Sequence, residues 1–408
     1  MLYKLTAIWL LAFPLGGAFA QDAPGTPGAP AETDRIVVSV PIEGEIGVAA
    51  LAPGVQRALR RAATLGATDI VFVIDSPGGR VADARVLQLV LAEHDASFQY
   101  HAIVESAISA AVWVLASCDT IHVLPGGSAG GAVVFAQDHS SGSVHVDAKM
   151  NSILCAEVAA AAAAKGHPSA VFEAMMVMEK ELYAETQADG LVRLTGSRSS
   201  AGSRVIDGSQ TVLTMTAEQM ADLGVARAIP SADLPALAAS LGVAWRELPR
   251  VGMAEMLRAS NDLARIARER DRAAKALERA AQSIDTAADR IEQLRYDAEQ
   301  AVANIPIYSS SYLRLRDGDR SRRDAIDYAV SRWDDVVDAL HDLDAQESAH
   351  RSAHRLLVLR MESEHKLRLY PMLEEFTPPE HVPVEHTIEK DGLYQKARRE
   401  QTRLNEMK

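Results

Sequence analysis

Two periods of apolar residues organise the first half of the chain. Short apolar runs predict strands at residues 35–42, 70–74, 101–104, 120–123 and 211–214. Stretches with helical spacing predict helices at residues 55–65, 82–93, 109–117, 151–165, 168–184 and 217–223. Strand-helix-strand units of this kind predict an α/β fold, in which right-handed crossovers cover a parallel sheet.

The second half of the chain follows a seven-residue repeat instead. Mostly apolar residues recur at two positions of each heptad over residues 256–301, and a second seam covers residues 326–357. Pro306 separates the two seams, so the pattern predicts an antiparallel coiled-coil hairpin. Such a hairpin could be an oligomerisation or substrate-gating arm, or a solvated helical spacer.

The N-terminus has the pattern of an export signal. Lys4 precedes an apolar run at residues 5–15, and Ala18, Phe19 and Ala20 complete an A-x-A cleavage site. The pattern predicts a cleavable signal peptide and a periplasmic or secreted bacterial protein. An uncleaved membrane anchor is the alternative, although the apolar run is short for a membrane span.

Composition and periodicity together predict the domain organisation. The predicted segments are a signal peptide at 1–20, a Pro/Gly-rich flexible linker at 21–34, an α/β domain at 35–230, a linker at 231–252, a coiled-coil hairpin at 253–370 and a partly disordered tail at 371–408.

Charge and cysteine content narrow the function classes. With 55 acidic against 42 basic residues, the formal charge of -13 argues against a nucleic-acid partner. Cys118 and Cys155 could form a disulfide in an oxidising compartment or remain buried thiols. Two cysteines without clustered histidines do not suggest a structural zinc site. We therefore expect neither a metal nor a cofactor.

Two turns at the carboxyl ends of predicted strands could carry chemistry. The run DSPGG at residues 75–79 follows an apolar strand, and its glycines allow close backbone approach to a substrate. Ser109 lies between a strand and an apolar helix, where a hydroxyl would project from the turn. Ser106 is a nearby decoy that would end the strand rather than occupy the turn.

Four motifs in order resemble the Clp-protease/crotonase superfamily. They are IDSPGG at residues 74–79, AISAAV at 107–112, GSAGG at 127–131 and MTAEQMADLGV at 215–225. The sequence looks closest to NfeD-type membrane-associated serine proteases and signal peptide peptidase A, over about residues 35–230. The resemblance implies a superhelical βαβ fold and serine-peptidase chemistry.

The resemblance also implies roles for individual residues. Ser109 would be the nucleophile, and the amides of Gly79 and Ala110 would form the oxyanion hole, with Gly78 supporting the turn. The Clp proteolytic subunit has a histidine base where residues 131–135 of this chain have valine. A Ser-His-Asp triad is therefore disfavoured, and His122, His139 and His145 are more simply strand or surface residues.

The resemblance implies a lysine base instead. In NfeD-type proteases and signal peptide peptidase A, a lysine begins the helix beyond the Gly-rich turn, and Lys149 holds that position here. Ser128 could orient its amine. The competing interpretation of Lys149 is a solvated lysine that Asp147 keeps charged. The competing interpretation of Ser128 is a serine that only stabilises the turn.

These features together predict an exported, ATP-independent serine endopeptidase that acts on peptides or on unfolded or membrane-protein segments through a Ser-Lys dyad. The expected partners are a peptide or protein substrate, a second copy of the chain in a homo-oligomer, and a membrane protein. A catalytically inactive scaffold that binds envelope partners through its arm is the alternative. A crotonase-like acyl-CoA enzyme is disfavoured because export would separate it from cytosolic CoA.

Overall fold

A computed structural model describes residues 35–47, 51–137, 144–146, 148–187, 191–199, 202–307 and 316–408. The predicted signal peptide and first linker, residues 1–34, lie outside the described residues. Within the described part of the chain, no helix combines the length and apolar character that a membrane crossing requires.

Strands and shorter helices make up the chain from residue 35 to residue 247, and two long helices follow. The strands are β1 Arg35–Glu43, β2 Asp69–Ser76, β3 Gln99–Ile108, β4 Thr120–Gly130, β5 Phe135–Gln137, β6 Val144–Val146, β7 Leu182–Thr186, β8 Val192–Thr195, β9 Arg204–Asp207, β10 Thr214–Thr216, β11 Arg227–Ala228 and β12 Trp245–Glu247. The helices are α1 Leu51–Thr64, α2 Val81–Glu93, α3 Val112–Ala116, α4 Ala148–Ala164, α5 Ser169–Met176, α6 Ala217–Asp222, α7 Leu234–Leu241, α8 Val251–Ala303, α9 Arg316–Leu367 and α10 Lys390–Glu406.

A mostly parallel sheet forms the centre of the domain. Its order is β10-β4-β3-β2-β1-β12, with β11 beside β4. Neighbouring strands are parallel except for β10, which runs antiparallel to β4. The predicted α/β fold with a parallel sheet is thus confirmed, as is the long helical region that follows it.

Apolar side chains explain why this sheet forms. Phe72 and Tyr100 pack on one face with ring centroids 5.7 Å apart, and both are fully buried. All five residues of α3 are buried against the same core. Because α3 is held on all sides, the turn that leads into it has a fixed position.

Residues 168–184, predicted as one helix, divide between two elements. Helix α5 ends at Met176, and residues 182–186 form β7, which pairs with β8 and β9 in a separate antiparallel sheet. Alanine and methionine favour a helix locally, but pairing with distant strands overrides that preference.

Residues 231–252, predicted as a linker, also contain regular structure. Asp233 caps α7 by accepting a hydrogen bond from the Ala236 amide at 2.7 Å, and Gly242 ends that helix in a left-handed conformation. Strand β12 then pairs with β1 and extends the sheet. Three residues are too few for a clear strand pattern in the sequence.

The two long helices pack against each other as an arm. Arg270 of α8 binds Glu364 of α9 at 2.7 Å, and Arg290 lies 4.0 Å from Asp342, so the helices run antiparallel. Trp333 and Leu340 of α9 are buried in the seam with Ile291 of α8. The tail, predicted as partly disordered, forms α10 over residues 390–406 and buries Ala397 and Leu404 against this seam.

A buried ionic network lies at the amino ends of the strands, opposite the edge that carries Ser109. Asp69 is fully buried, and its carboxylate accepts a hydrogen bond from Arg35 Nε at 3.1 Å. His101 Nε2 lies 3.0 Å from Asp69 Oδ1. Burial raises the pKa of Asp69, but hydrogen bonds from His101, Arg35 and Thr68 outweigh burial and lower that pKa below its ordinary value.

Replacing Asp69 by asparagine should therefore destabilise the domain by about 3–5 kcal/mol at pH 7, since the variant removes the negative charge that pairs with Arg35 and His101. A carboxylate with a lowered pKa stabilises the fold above the ordinary carboxylate range, and that contribution is lost as pH falls through the lowered pKa. Urea unfolding at several pH values should show the largest gap between wild type and variant at neutral pH.

The exposed Glu93→Gln is a matched control that should change stability little. A gap between wild type and Asp69→Asn that stays constant, or widens, as pH falls below about 4 would contradict the assigned charge state.

Candidate active site

Ser109 lies on a strained turn at the carboxyl end of β3. Its φ is +54°, a left-handed value that is unfavourable for a residue with a side chain. The residue begins a short 3₁₀-helix, Ser109–Ala111, which leads into the buried α3. Strain of this kind at a strand-to-helix turn exposes a nucleophilic hydroxyl in other folds. The side chain of Ser109 is half-buried.

The DSPGG turn packs directly on the Ser109 turn, which explains the first of its two glycines. A Cβ on Gly78 would lie 2.4 Å from the Ser109 Cβ and 2.8 Å from the Ile108 carbonyl oxygen. Gly78 also has a φ of +98°. The buried Ser76 holds this turn, because its Oγ donates to the Gly44 carbonyl at 2.7 Å and accepts from the Gly78 amide at 3.2 Å.

Two backbone amides lie beside Ser109 and are suited to bind an anion. Ala110 is in the first turn of the 3₁₀-helix, where amides have no acceptor within the helix. A Cβ on Gly78 would lie 2.9 Å from the Ala110 nitrogen, so the two turns are in close contact. The Gly79 amide follows Gly78 and donates no hydrogen bond to another described residue. Both amides can therefore stabilise negative charge that develops next to Ser109.

Replacing Gly78 by alanine should damage this arrangement more than its backbone conformation alone implies. The added Cβ would force the two turns apart, so we expect about 1–3 kcal/mol of destabilisation and at least a tenfold loss of any Ser109-dependent hydrolysis. Urea unfolding and hydrolysis assays would measure the two effects.

Gly126→Ala is the matched control, because Gly126 has a φ of +78° but nothing within 4 Å of an added Cβ. If the two alanine variants behaved alike, crowding at Ser109 would have no role, and only the strain of a positive φ would remain.

The two other serines near the site lie within strands. Ser106 is inside β3, paired with Asp75 and with Ser128 of β4. Ser128 is also opposite Thr216 of β10. No hydrogen bond joins Ser128 to Ser109 or Lys149 within the described part of the chain, and its supporting role stays a prediction.

Lys149 is an exposed residue in the first turn of α4. Among the described residues, no hydrogen bond connects its amine to Ser109, and Asp147 lies outside them. The structure therefore places Lys149 at the predicted helix start without joining it to Ser109. Its role as the base stays a prediction.

Asn151, which belongs to none of the four motifs, anchors the first turn of α4. Its buried amide accepts a hydrogen bond from the Val134 N–H at 3.3 Å and donates to the Met176 carbonyl at 2.9 Å. Val134 follows the GSAGG motif, whose Gly131 approaches Ile108, the residue before Ser109. An asparagine at the first residue of a predicted helix is the only signal in the sequence, since its partners are distant along the chain.

Cys118, Cys155 and His122 are buried inside the domain. Cys118 and Cys155 are free and buried, and burial raises the pKa of both thiols. The expected alternative of two buried thiols therefore describes the structure. His122 is buried in β4, and its Nε2 lies 3.1 Å from Ser240 Oγ. Burial, together with His101 and Arg227, lowers the pKa of His122 to about 4, which keeps it neutral. His139 lies outside the described residues.

Comparisons with solved structures find the 1510-N membrane-bound stomatin-specific protease. A serine-to-alanine mutant of it is 19% identical with a TM-score of 0.37, covering 51% of this chain and 84% of that chain. A lysine-to-alanine mutant in complex with a substrate peptide has the same identity and TM-score, and covers 51% and 80%. The 1510-N membrane protease specific for a stomatin homolog from Pyrococcus horikoshii is 18% identical with a TM-score of 0.33, covering 51% and 79%.

A family comparison covers almost all of the predicted α/β domain. No curated protein sequence matches the chain. The family model described as NfeD1b, N-terminal domain, matches residues 36–229. This match confirms the resemblance inferred from the four motifs: residues 36–229 are similar to the N-terminal domain of NfeD1b.

Proposed function

We propose that this chain is an ATP-independent serine endopeptidase that cleaves peptides or unfolded protein segments, including segments of membrane proteins. One observation carries the proposal: Ser109 is held at a φ of +54° against Gly78, beside the amides of Gly79 and Ala110. A half-buried hydroxyl next to amides that can bind an anion is the arrangement that acyl transfer requires.

The proposed reaction has two halves. Ser109 Oγ attacks the scissile carbonyl and gives its proton to the neutral amine of Lys149, while the Gly79 and Ala110 amides bind the oxyanion. The tetrahedral intermediate then breaks the C–N bond, and the leaving amine takes the proton from Lys149. Water attacks the resulting ester while Lys149 again accepts the proton; as the ester C–O bond breaks, Lys149 returns that proton to Ser109 Oγ, which releases the acid and restores the free serine and the neutral amine.

The Lys149 amine must be removed from solvent before it can act as a base. The side chain is exposed in the structure, and an amine accepts a proton only in its neutral form. A substrate or a second copy of the chain that covers α4 would favour the neutral amine, because burial disfavours the charged ammonium. The proposal therefore includes closure of the site by substrate or by homo-oligomer formation.

Export completes the proposal. The signal-peptide pattern at residues 1–20 supports a periplasmic or secreted location, and a membrane protein is a suitable partner for a peptidase there. Hydrolysis by an acyl-enzyme route needs no nucleotide, so activity in an extracytoplasmic compartment is chemically consistent.

The test is cleavage by the full chain without its first 20 residues. An unfolded protein and a peptide library are incubated with and without ATP, and the products are read by mass spectrometry. We expect internal peptide bonds to be cut at the same rate under both conditions. Complete absence of cleavage, or cleavage only with ATP, would overturn the proposal.

A catalytically inactive scaffold is the second candidate. Large apolar side chains are exposed on both helices of the arm, among them Leu257 of α8 and Leu359 of α9, which are 61% and 57% exposed. A binding surface would use such residues. This candidate predicts that Ser109→Ala retains every partner interaction and every phenotype of the wild type.

A further inference from the structure

The end of the arm contacts the segment next to the proposed oxyanion site. Arg368 follows α9, and its Nη1 donates a hydrogen bond to the Gly47 carbonyl at 2.8 Å. The same guanidinium lies 3.6 Å from the Asp83 carboxylate in the first turn of α2. Both side chains are largely buried, with exposures of 13% for Arg368 and 6% for Asp83. This contact links residues 321 positions apart.

Gly47 directly follows Ile46, the residue that holds Gly79. Its neighbour Ile46 forms a parallel bridge with Gly79. The Ile46 amide donates to the Gly78 carbonyl at 2.7 Å, and the Arg80 amide donates to the Ile46 carbonyl at 2.8 Å. The bridge therefore fixes the peptide units on both sides of Gly79. A Cβ on Gly79 would lie 2.1 Å from the Ile46 carbonyl oxygen, so only glycine allows the two backbones to approach this closely.

Further groups hold the same loop in place. Arg80 Nη2 donates to the Gly47 carbonyl at 2.7 Å, but the Arg80 side chain is half exposed. The Tyr370 hydroxyl donates to Asp83 Oδ2 at 2.8 Å. Burial, followed by this bond to Asp83, raises the pKa of Tyr370 to about 12, so the hydroxyl keeps its donor proton at neutral pH. Arg368 is the more buried of the two arginines on Gly47.

Both helices of the arm hold Arg368. Its Nε donates to Glu364 at 3.1 Å, and Glu364 also binds Arg270 of α8 at 2.7 Å. At the same end of the arm, near the start of α8, Gly252 packs so tightly on β1 that an added Cβ would lie 2.1 Å from the Ser39 carbonyl oxygen. The arm is thus attached to β1 through Gly252 and to the segment that follows β1 through Arg368.

We infer that Arg368 is a positioning residue for the proposed peptidase reaction: by fixing Gly47 it orders the Ile46–Gly79 bridge and aims the Gly79 amide at the oxyanion. This inference rests on the proposed function. It assigns the end of the arm a role in the active site of a domain that precedes it in the chain. Arginine suits this role because its planar fork reaches Gly47, Asp83 and Glu364 at once, which an ammonium cannot do with the same geometry.

The test compares Arg368→Ala, Arg368→Lys and Tyr370→Phe in the full chain without its first 20 residues. Peptide hydrolysis gives kcat and KM for each variant. The rate of covalent labelling of Ser109 by a fluorophosphonate is measured separately. Loss of one oxyanion-hole donor costs about 100-fold to 1000-fold in kcat, and misalignment should cost less. We expect Arg368→Ala to lower kcat and the labelling rate about 10-fold to 100-fold with little change in KM.

Arg368→Lys should recover part of the loss, and Tyr370→Phe should give a smaller decrease of the same kind. Arg360→Ala is the matched control, because Arg360 binds Glu269 at 3.1 Å within the arm and is 39% exposed. It removes the same charge and should leave both rates unchanged. Urea unfolding of each variant gives the folded fraction by which the rates are corrected.

The outcomes distinguish failure of the positioning role from failure of the proposed peptidase activity. If wild type and Arg368→Ala are equally active after correction for folding, the positioning role is overturned and the peptidase proposal is left intact. A rise in KM with unchanged kcat overturns it too, since that indicates substrate binding. Wild type that neither cleaves nor labels overturns both the proposed function and this inference.

Discussion

Replacement of Ser109 by alanine is expected to reduce peptide hydrolysis by about five orders of magnitude, or to the detection limit. Removing the nucleophile from a serine protease has an effect of this size, because the remaining oxyanion site and binding groups supply only a small part of the acceleration. The variant removes one oxygen from a half-buried side chain, and Oγ makes no hydrogen bond to another described residue. Stability should therefore change little.

Ser106→Ala is the matched control for this variant. Ser106 is three residues earlier, but it is inside β3 and opposite Ser128. We expect it to keep near wild-type hydrolysis in an assay of initial rates. Activity that survives in Ser109→Ala and disappears in Ser106→Ala would contradict the assignment of the nucleophile.

Replacement of Lys149 by alanine should have the second largest effect, a loss of about four orders of magnitude or more. Without a base the Ser109 hydroxyl is a weak nucleophile at neutral pH. Arginine at this position should be equally inactive, because a guanidinium keeps its proton although it preserves the charge. Initial rates for Lys149→Ala and Lys149→Arg would measure both effects.

Lys180→Ala is the control for removal of a lysine on the same side of the domain. Lys180 is exposed and forms an ion pair with Glu173 at 2.8 Å, so its loss should change activity little. If Lys149→Arg retained activity, Lys149 would act through its charge, and another group would have to serve as the base.

Local periodicity was sufficient to predict the parallel sheet. Glycine, serine or proline follows within two residues of the apolar runs 35–42, 70–74, 101–104 and 120–123, and these turn residues indicate where the Ser109 and DSPGG turns lie. The φ of +54° at Ser109 was not predictable, because non-glycine residues rarely adopt that conformation. It is imposed by the buried α3 on one side and Gly78 on the other.

The sequence pattern does not predict interactions between segments that are distant along the chain. Strand β12 forms because β1 offers a free edge, and the tail helix α10 forms on the surface of the arm. The contact of Arg368 with Gly47 joins the end of one predicted domain to the beginning of another. Each of these depends on packing that no short window of the sequence contains.

Covalent labelling is the most direct test of the central claim that Ser109 is an activated nucleophile. The folded wild-type chain is treated with a fluorophosphonate, digested with trypsin and mapped by mass spectrometry. We expect one phosphonylated site, Ser109, which disappears in Ser109→Ala and forms much more slowly in Lys149→Ala. An adduct on Ser106 or on any other residue in place of Ser109, or no adduct on folded protein, would contradict it.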